Sequence, residues 1–390
     1  MSVTSPRGFV ASGVACGIKA SGALDLSLVA TDDGVPVSAA AVFTTNLATA
    51  APVLVSRSHL AATGGRAAAV VLSSGNANAA CGEQGTVDAG RMCTLVGQEI
   101  GAAAEAVLVC QTGLIGIPLP MACLESGIPG LVAARAGGPE AGELAARAIM
   151  TTDTFAKEIV VSGDGFAIGA MAKGAAMLAP NMATMLAVIT TDAECDPLGL
   201  HEALARAVST SFNAMTVDGA TSTNDTVVVL ASGRAGVSPA PGELAEALEI
   251  ACGELSAMMV QDAEGATKVA HVIVTGARSD EEAHRAARKV AESNLVKCSL
   301  NGEDAYWGRV LSELGSAAVA FDPERTTIAY GGVEVCRHGI AATHDHGAVA
   351  AHMAERSIEI VCDLGLGDGR GVVLTCDLGH GYIDENRTTS

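Results

Sequence analysis

Aromatic residues are scarce in this chain, at 3% of 390 positions, with one Trp, three Tyr and six Phe. A core without aromatic bulk has to be filled by Ala, Val, Leu, Ile and Met. Basic residues are also few, 23 against 43 acidic ones, for a net charge of −20. Such a surface repels phosphate backbones and anionic lipid, so neither nucleic acid nor a membrane surface is an expected partner. An anionic substrate would have to be met by a local cation. The 11 cysteines are odd in number and include no C-x-x-C pair, unlike a secreted disulfide framework. They suit reduced thiols in a cytoplasmic protein. No apolar run approaches a membrane span. The start, Met1-Ser2-Val3-Thr4-Ser5-Pro6-Arg7, lacks the basic and apolar regions of a signal peptide. Internal repeats and low-complexity tracts are absent.

What is present is small and apolar: 49% hydrophobic residues and 45 glycines, a composition for close backbone approaches and many tight turns. The length accommodates two or three domain-sized units or one composite fold. Short apolar runs over 8–55 alternate with turn residues, as strands do. Further strands are expected at 66–72, 106–110, 227–231, 269–274, 327–330, 358–364 and 372–378. Helices are expected over 84–104, 120–135, 139–150, 197–215, 241–262, 280–296 and 307–314. A hairpin is expected over 157–171, turning at Ser162-Gly163-Asp164-Gly165. The fold class is therefore mixed α/β or α+β, without a regular βαβ cadence.

Two signals suggest ligands and lose to simpler readings. The Gly-rich run at 365–371 follows a strand, but another strand comes after it. A phosphate-cradling loop needs a helix there, so the run reads as a hairpin turn. His344-Asp345-His346 is dense in histidine, but two side chains at i and i+2 in a Gly/Ala-rich loop do not specify a metal centre.

The central stretch is Lys173-Gly174-Ala175-Ala176-Met177-Leu178-Ala179-Pro180-Asn181-Met182-Ala183-Thr184-Met185-Leu186. Its proline precedes an apolar run, the pattern of a turn feeding a buried strand, with Thr184 at the strand's mouth. Thr112-Gly113, Thr151-Thr152 and Thr223-Asn224 also fall at strand ends or loops, where sites are assembled. From residues alone this supports an α/β protein with a candidate acyl-transfer site, and a threonine at a strand's mouth is ordinarily only a strand former.

At these residues the chain resembles the ornithine acetyltransferases, the bifunctional glutamate N-acetyltransferases of arginine biosynthesis. The resemblance runs through Gly17-Ile18-Lys19, Val42-Phe43-Thr44-Thr45-Asn46, Ala51-Pro52-Val53 and Thr112-Gly113-Leu114-Ile115-Gly116. It continues through Ala148-Ile149-Met150-Thr151-Thr152-Asp153, the central stretch and Ser222-Thr223-Asn224-Asp225-Thr226. Asp262-Ala263-Glu264-Gly265, Trp307-Gly308-Arg309 and Glu385-Asn386 complete it. It covers essentially the whole chain.

The resemblance implies a layered α/β sandwich of the self-processing N-terminal-threonine acyltransferase type. It implies self-cleavage between Ala183 and Thr184, giving an α chain 1–183 and a β chain 184–390, with a C-terminal lobe from roughly 275 onward. Thr184 would be the nucleophile, and Thr112 and Gly113 the oxyanion hole. Thr151, Lys173, Thr184, Glu264 and Asn386 would contact substrate, with Ser390 a looser match. Lys173 would meet the substrate α-carboxylate, and Glu264 the amine of ornithine. The implied reaction is ping-pong: N-acetylornithine acylates Thr184, ornithine leaves, and glutamate takes the acetyl group. No cofactor or metal is implied, and acetyl-CoA as a second donor stays open. The implied assembly is α2β2. The chain departs from the family pattern at Ala176, where glycine is usual, at Tyr306, where asparagine is usual, and in the loop at 73–82. The changes at Ala176 and Tyr306 motivate one alternative, a paralogue acting on another amino acid; an amidase-type hydrolase with the same nucleophile and an unprocessed binding protein are the others.

Overall fold

Two sheets lie face to face at the centre of the computed structural model, which describes residues 2–178 and 185–388. The first sheet runs Phe9–Val14, Leu26–Thr31, Ala69–Asn76, Val107–Leu114. The second runs Arg66–Ala67, Val37–Phe43, Thr226–Ala231, Leu186–Thr191, Ala167–Lys173, Lys157–Ser162. The expected hairpin is its last pair, with Lys157 opposite Ala172 and Ser162 opposite Ala167.

Successive strand residues point to opposite faces, and this alternation sorts the core. Val70, Leu72, Val188, Val228 and Leu230 meet between the two sheets. Val71 and Val109 instead face the helices Gly82–Ile100 and Met121–Ala133 on the outside of the first sheet. Ala187, Ile189, Val227 and Val229 face Pro197–Thr210 and Pro241–Gln261 outside the second. The result is four layers: helix, sheet, sheet, helix. Because both faces of these strands are covered, they read in sequence as continuous apolar runs.

A third sheet, with strand order Met215–Thr216, Gly369–Cys376, Val269–Ala277, Ser357–Asp363, Thr327–Tyr330, Val333–Arg337, Ile340–Ala341, has its own core with Asp280–Ala291 and Trp307–Gly315. Here the sequence expectations need correction. The Gly-rich run at 365–371 does not turn a hairpin. The strands it joins lie on opposite sides of Val269–Ala277, parallel to it on one side and antiparallel on the other. The run crosses the end of that strand and presses on the start of the next helix. A Cβ at Gly369 would sit 2.3 Å from the Ser279 carbonyl oxygen. His346 is not in a loop but starts the helix His346–Ala354, whose first amides at Gly347 and Ala348 are capped by Asp345. The expected helix over 280–296 is two helices, Asp280–Ala291 and Asn294–Asn301, the second capped by Ser293. Residues 51–62 form a helix with proline in its first turn, rather than continuing the strand pattern.

Candidate active site

Strand ends of the first two sheets and the C-terminal helix His380–Glu385 border a cavity of about 660 Å³. Thr112 and Gly113 reach it from the end of Val107–Leu114, where the pairing with Ala69–Asn76 slips. A slip of this kind frees backbone groups from the ladder. Gly113 has φ +133°, and a Cβ there would lie 2.3 Å from the Gly75 carbonyl carbon. No other residue fits. Beneath this edge, Asn224 Nδ2 donates to Ala77 O at 2.6 Å and Gln111 O at 2.9 Å, tying the first sheet to the loop before Thr226–Ala231.

Lys173 ends its strand 3% exposed, with Nζ 3.5 Å from Thr112 Oγ1. Burial pushes its ammonium below the ordinary lysine range, and Asp153 opposes that shift most strongly. Asp153 accepts from Lys157 Nζ at 2.7 Å, Gly174 N at 2.7 Å and Thr151 N at 3.0 Å. It thereby joins two of the expected substrate-contacting segments. Its own burial would raise its pKa, but Lys173 and Lys157 outweigh this and bring it to about 2. Lys157 is wholly buried and also donates to Asp262 Oδ2 at 2.5 Å.

Across the cavity, Glu264 accepts from Asn386 Nδ2 at 2.6 Å. Asp218 accepts from Met177 N at 2.5 Å, Leu178 N at 3.0 Å and the Tyr382 hydroxyl at 3.2 Å. Burial and the Asp218 charge push the Tyr382 phenol up to about 12, which keeps it a donor. Thr151, Ala176, Met177 and Ser222 complete this wall. Met185, the first described residue after 179–184, donates its amide to Asp225 Oδ1 at 2.6 Å. The Asp225 carboxyl is 1% exposed, and burial holds its pKa well above the usual carboxylate range.

Six sequence-predicted residues thus line one cavity: Thr112, Gly113, Thr151, Lys173, Glu264 and Asn386. Ala183, Thr184 and Ser390 lie outside the described residues. Tyr306 lies apart, exposed at the start of its helix, with Arg309 over its ring. Among the described residues no three His, Cys, Asp or Glu side chains are placed to hold a metal. His344 and His346 stand ring against ring at 4.3 Å, and His344 Nδ1 is hydrogen-bonded to Ala342 O at 2.7 Å.

The ArgJ family model matches residues 10–388. The chain belongs to the ArgJ family. It is 47% identical over its full length, and over 96% of the relative's, to the arginine biosynthesis bifunctional protein ArgJ of Mycolicibacterium paratuberculosis. It is 45% identical to the ArgJ of Symbiobacterium thermophilum, over 98% of this chain and 97% of that one. Among solved structures it is similar to ornithine acetyltransferase complexed with ornithine from Mycobacterium tuberculosis. That match has 45% identity and a TM-score of 0.44, over 46% of this chain and 94% of that one.

Sequence reasoning on this ArgJ-family chain missed Lys19, Asp218 and Tyr382 as cavity residues. It expected one local cation, and the cavity wall carries two. Lys19 sat inside a quoted motif, but nothing in Gly17-Ile18-Lys19 says that the side chain turns inward. All eleven cysteines are free thiols, and no helix among the described residues is long and apolar enough to cross a membrane.

Proposed function

We propose that this ArgJ-family acyltransferase moves the acetyl group of N-acetylornithine to glutamate through an acetyl ester on Thr184, after cutting itself between Ala183 and Thr184. The observation that carries this reading is the convergence of Thr112, Gly113, Thr151, Lys173, Glu264 and Asn386 on one cavity, although they span most of the chain. Identity of 47% to an arginine biosynthesis bifunctional protein supports it.

The chemistry follows from the residues. A threonine hydroxyl is a weak nucleophile until a base takes its proton. Cleavage would free the Thr184 α-amino group, with a reference pKa of about 7.7–8.0, to serve as that base. The hydroxyl oxygen attacks the acetyl carbonyl, and the oxyanion is stabilised by donors from Thr112 and Gly113. The tetrahedral intermediate collapses as the nitrogen of ornithine leaves with a proton. Glutamate's amine then repeats the sequence on the ester and carries the acetyl group away. Lys173 meets the amino-acid carboxylate, and Glu264, with Asn386, meets the ornithine ammonium; Ser390 is assigned to the same substrate contacts. Acetyl-CoA as an alternative donor is part of the same reading, as are a cytoplasmic site of action and an α2β2 assembly of chains 1–183 and 184–390.

Intact mass of the purified protein tests the first step. Two chains, the second beginning at Thr184, are expected; a single chain of 38.9 kDa overturns self-processing. Thr184→Ala is expected to abolish both cleavage and transfer, and transfer surviving it would remove Thr184 as nucleophile. Acetyl release from N-acetylornithine without an acceptor, at the rate seen with glutamate, would favour the hydrolase reading.

A further inference from the structure

Lys19 is the cation that the expected roles leave unused. Its Nζ donates to Leu24 O at 2.8 Å and to Met150 O at 2.7 Å, so two of the three ammonium hydrogens are fixed by main chain. Met150 directly precedes Thr151, and Lys19 lines the same cavity as Lys173. The neighbouring acid, Asp25, is already engaged by the backbone amides of Cys16, Gly17, Ile18 and Lys19 at 2.7–3.1 Å. Among the described residues neither Lys19 nor Lys173 has a carboxylate within 4.0 Å of its ammonium. Lys157, Lys268 and Lys289 each have one, and Lys297, which does not, is outside the cavity lining and gives its ammonium to Thr375 and Cys376.

Both ammonium groups line one half-enclosed cavity without a carboxylate in ion-pair contact, and each loses hydration on burial. Burial pushes Lys19 below the ordinary lysine range; the Asp25 charge opposes this, and Lys173 adds to it more weakly. Such an arrangement is stabilised by a ligand that brings two negative charges. Ornithine and its acetyl derivative bring only one carboxylate. We infer that Lys19 is a specificity-determining residue that takes the side-chain carboxylate of a dicarboxylic acceptor while Lys173 takes the α-carboxylate. The cavity then has separate answers for its two substrates: Glu264 and Asp218 for a cationic side chain, Lys19 for an anionic one. This inference rests on the acetyl-transfer reading for its reaction but not for its binding.

The test separates the half-reactions. In Lys19→Met, ornithine release from N-acetylornithine should stay within about twofold of wild type. The kcat/KM for glutamate should fall about 10- to 100-fold, the range for a hydrogen bond to a charged group. Glutamine, which lacks the second carboxylate, should lose little, and Lys19→Arg should recover part of the glutamate rate. Equal losses with glutamate and glutamine, or a loss confined to the donor step, would overturn the assignment. Should Lys19→Met not fold, the unaltered protein still decides. Glutarate should inhibit against glutamate at least 10-fold better than butyrate, and equal inhibition refutes the subsite. If the wild type releases no ornithine, the acetyl-transfer reading has failed instead. Calorimetry of glutarate against butyrate on the full chain then tests the second-carboxylate subsite independently of acetyl transfer, with equal affinity counting against it.

Discussion

Replacing Asp153 by Asn removes one charge from a buried set formed with Lys157, Asp262 and Lys173. Two contributions add. The Asp153 carboxyl titrates at about 2 against a reference near 4, and each unit is worth about 1.4 kcal/mol, so the charge contributes about 2 kcal/mol at neutral pH. The second is geometric. Both oxygens accept, Oδ1 from Lys157 and Gly174 and Oδ2 from Thr151, and an amide must turn its NH2 toward one of these donors. A buried donor left facing another donor costs about 1–3 kcal/mol. Together the loss is about 3–5 kcal/mol, the range for breaking a buried ion pair from one side. Because the folded-state pKa is depressed, the charge contribution is complete above the unfolded value near 4 and is lost as pH falls through about 2. Urea denaturation of the Thr184→Ala protein, kept as one chain, measures this with and without the substitution at pH 7 and pH 3. The gap should shrink by about 1 kcal/mol at pH 3. A gap below about 1 kcal/mol at pH 7, or an equal gap at both pH values, would refute the reasoning. Catalysis supplies a second readout. Lys173 loses the charge that does most to keep it protonated, so KM for glutamate should rise with pH more steeply than in the wild type.

Gly113→Ala places a methyl group 2.3 Å from the Gly75 backbone at φ +133°. The displaced edge should lower kcat by about 10²–10³-fold, the scale of losing an oxyanion donor, in steady-state assays. Glu158 has an unpaired Oε1, and burial, with Glu143 nearby, raises its pKa to about 7. A raised carboxyl weakens the fold as pH climbs from the reference value through 7. Glu158→Gln should therefore stabilise the protein at pH 8, by on the order of 1 kcal/mol after allowing for solvent screening. It should do almost nothing at pH 5, which thermal melts at the two pH values would show.

The parts of the fold legible in the sequence were those where one physical rule acts alone. Runs such as 185–189 and 227–231 are apolar because both faces of their strands are covered, and that rule needs no tertiary information. The failures lay where two rules compete. Residues 346–354 are rich in Ala, Gly and His and carry little amphipathic signal, although Asp345 two residues before Gly347 was a usable capping sign. Residues 365–371 had the composition of a hairpin, but only the insertion of Val269–Ala277 between the flanking strands reveals a crossover. For the site, residues at strand ends were found because the family motifs gather there. Lys19, Asp218 and Tyr382 escaped because their orientation depends on which loops meet. Lys19 turns inward only because Leu24 O and Met150 O are both within reach, and these carbonyls are far apart along the chain.

The place of Leu186–Thr191 in the second sheet bears on reversibility. This strand lies between Thr226–Ala231 and Ala167–Lys173, matching the latter residue for residue from Lys173 opposite Leu186 to Ile168 opposite Thr191. Before the proposed scission that pairing is an event within one molecule, and its rate does not depend on concentration. Afterwards the same hydrogen bonds join two molecules, and the cores on both sides of the sheet are built from both. The native arrangement would persist, yet the route back to it would become bimolecular. A denatured sample diluted tenfold would then refold about tenfold more slowly, whereas the Thr184→Ala chain would refold at one rate at every dilution. A single peptide bond would thus convert a reversible folding equilibrium into a state held chiefly by the height of its unfolding barrier.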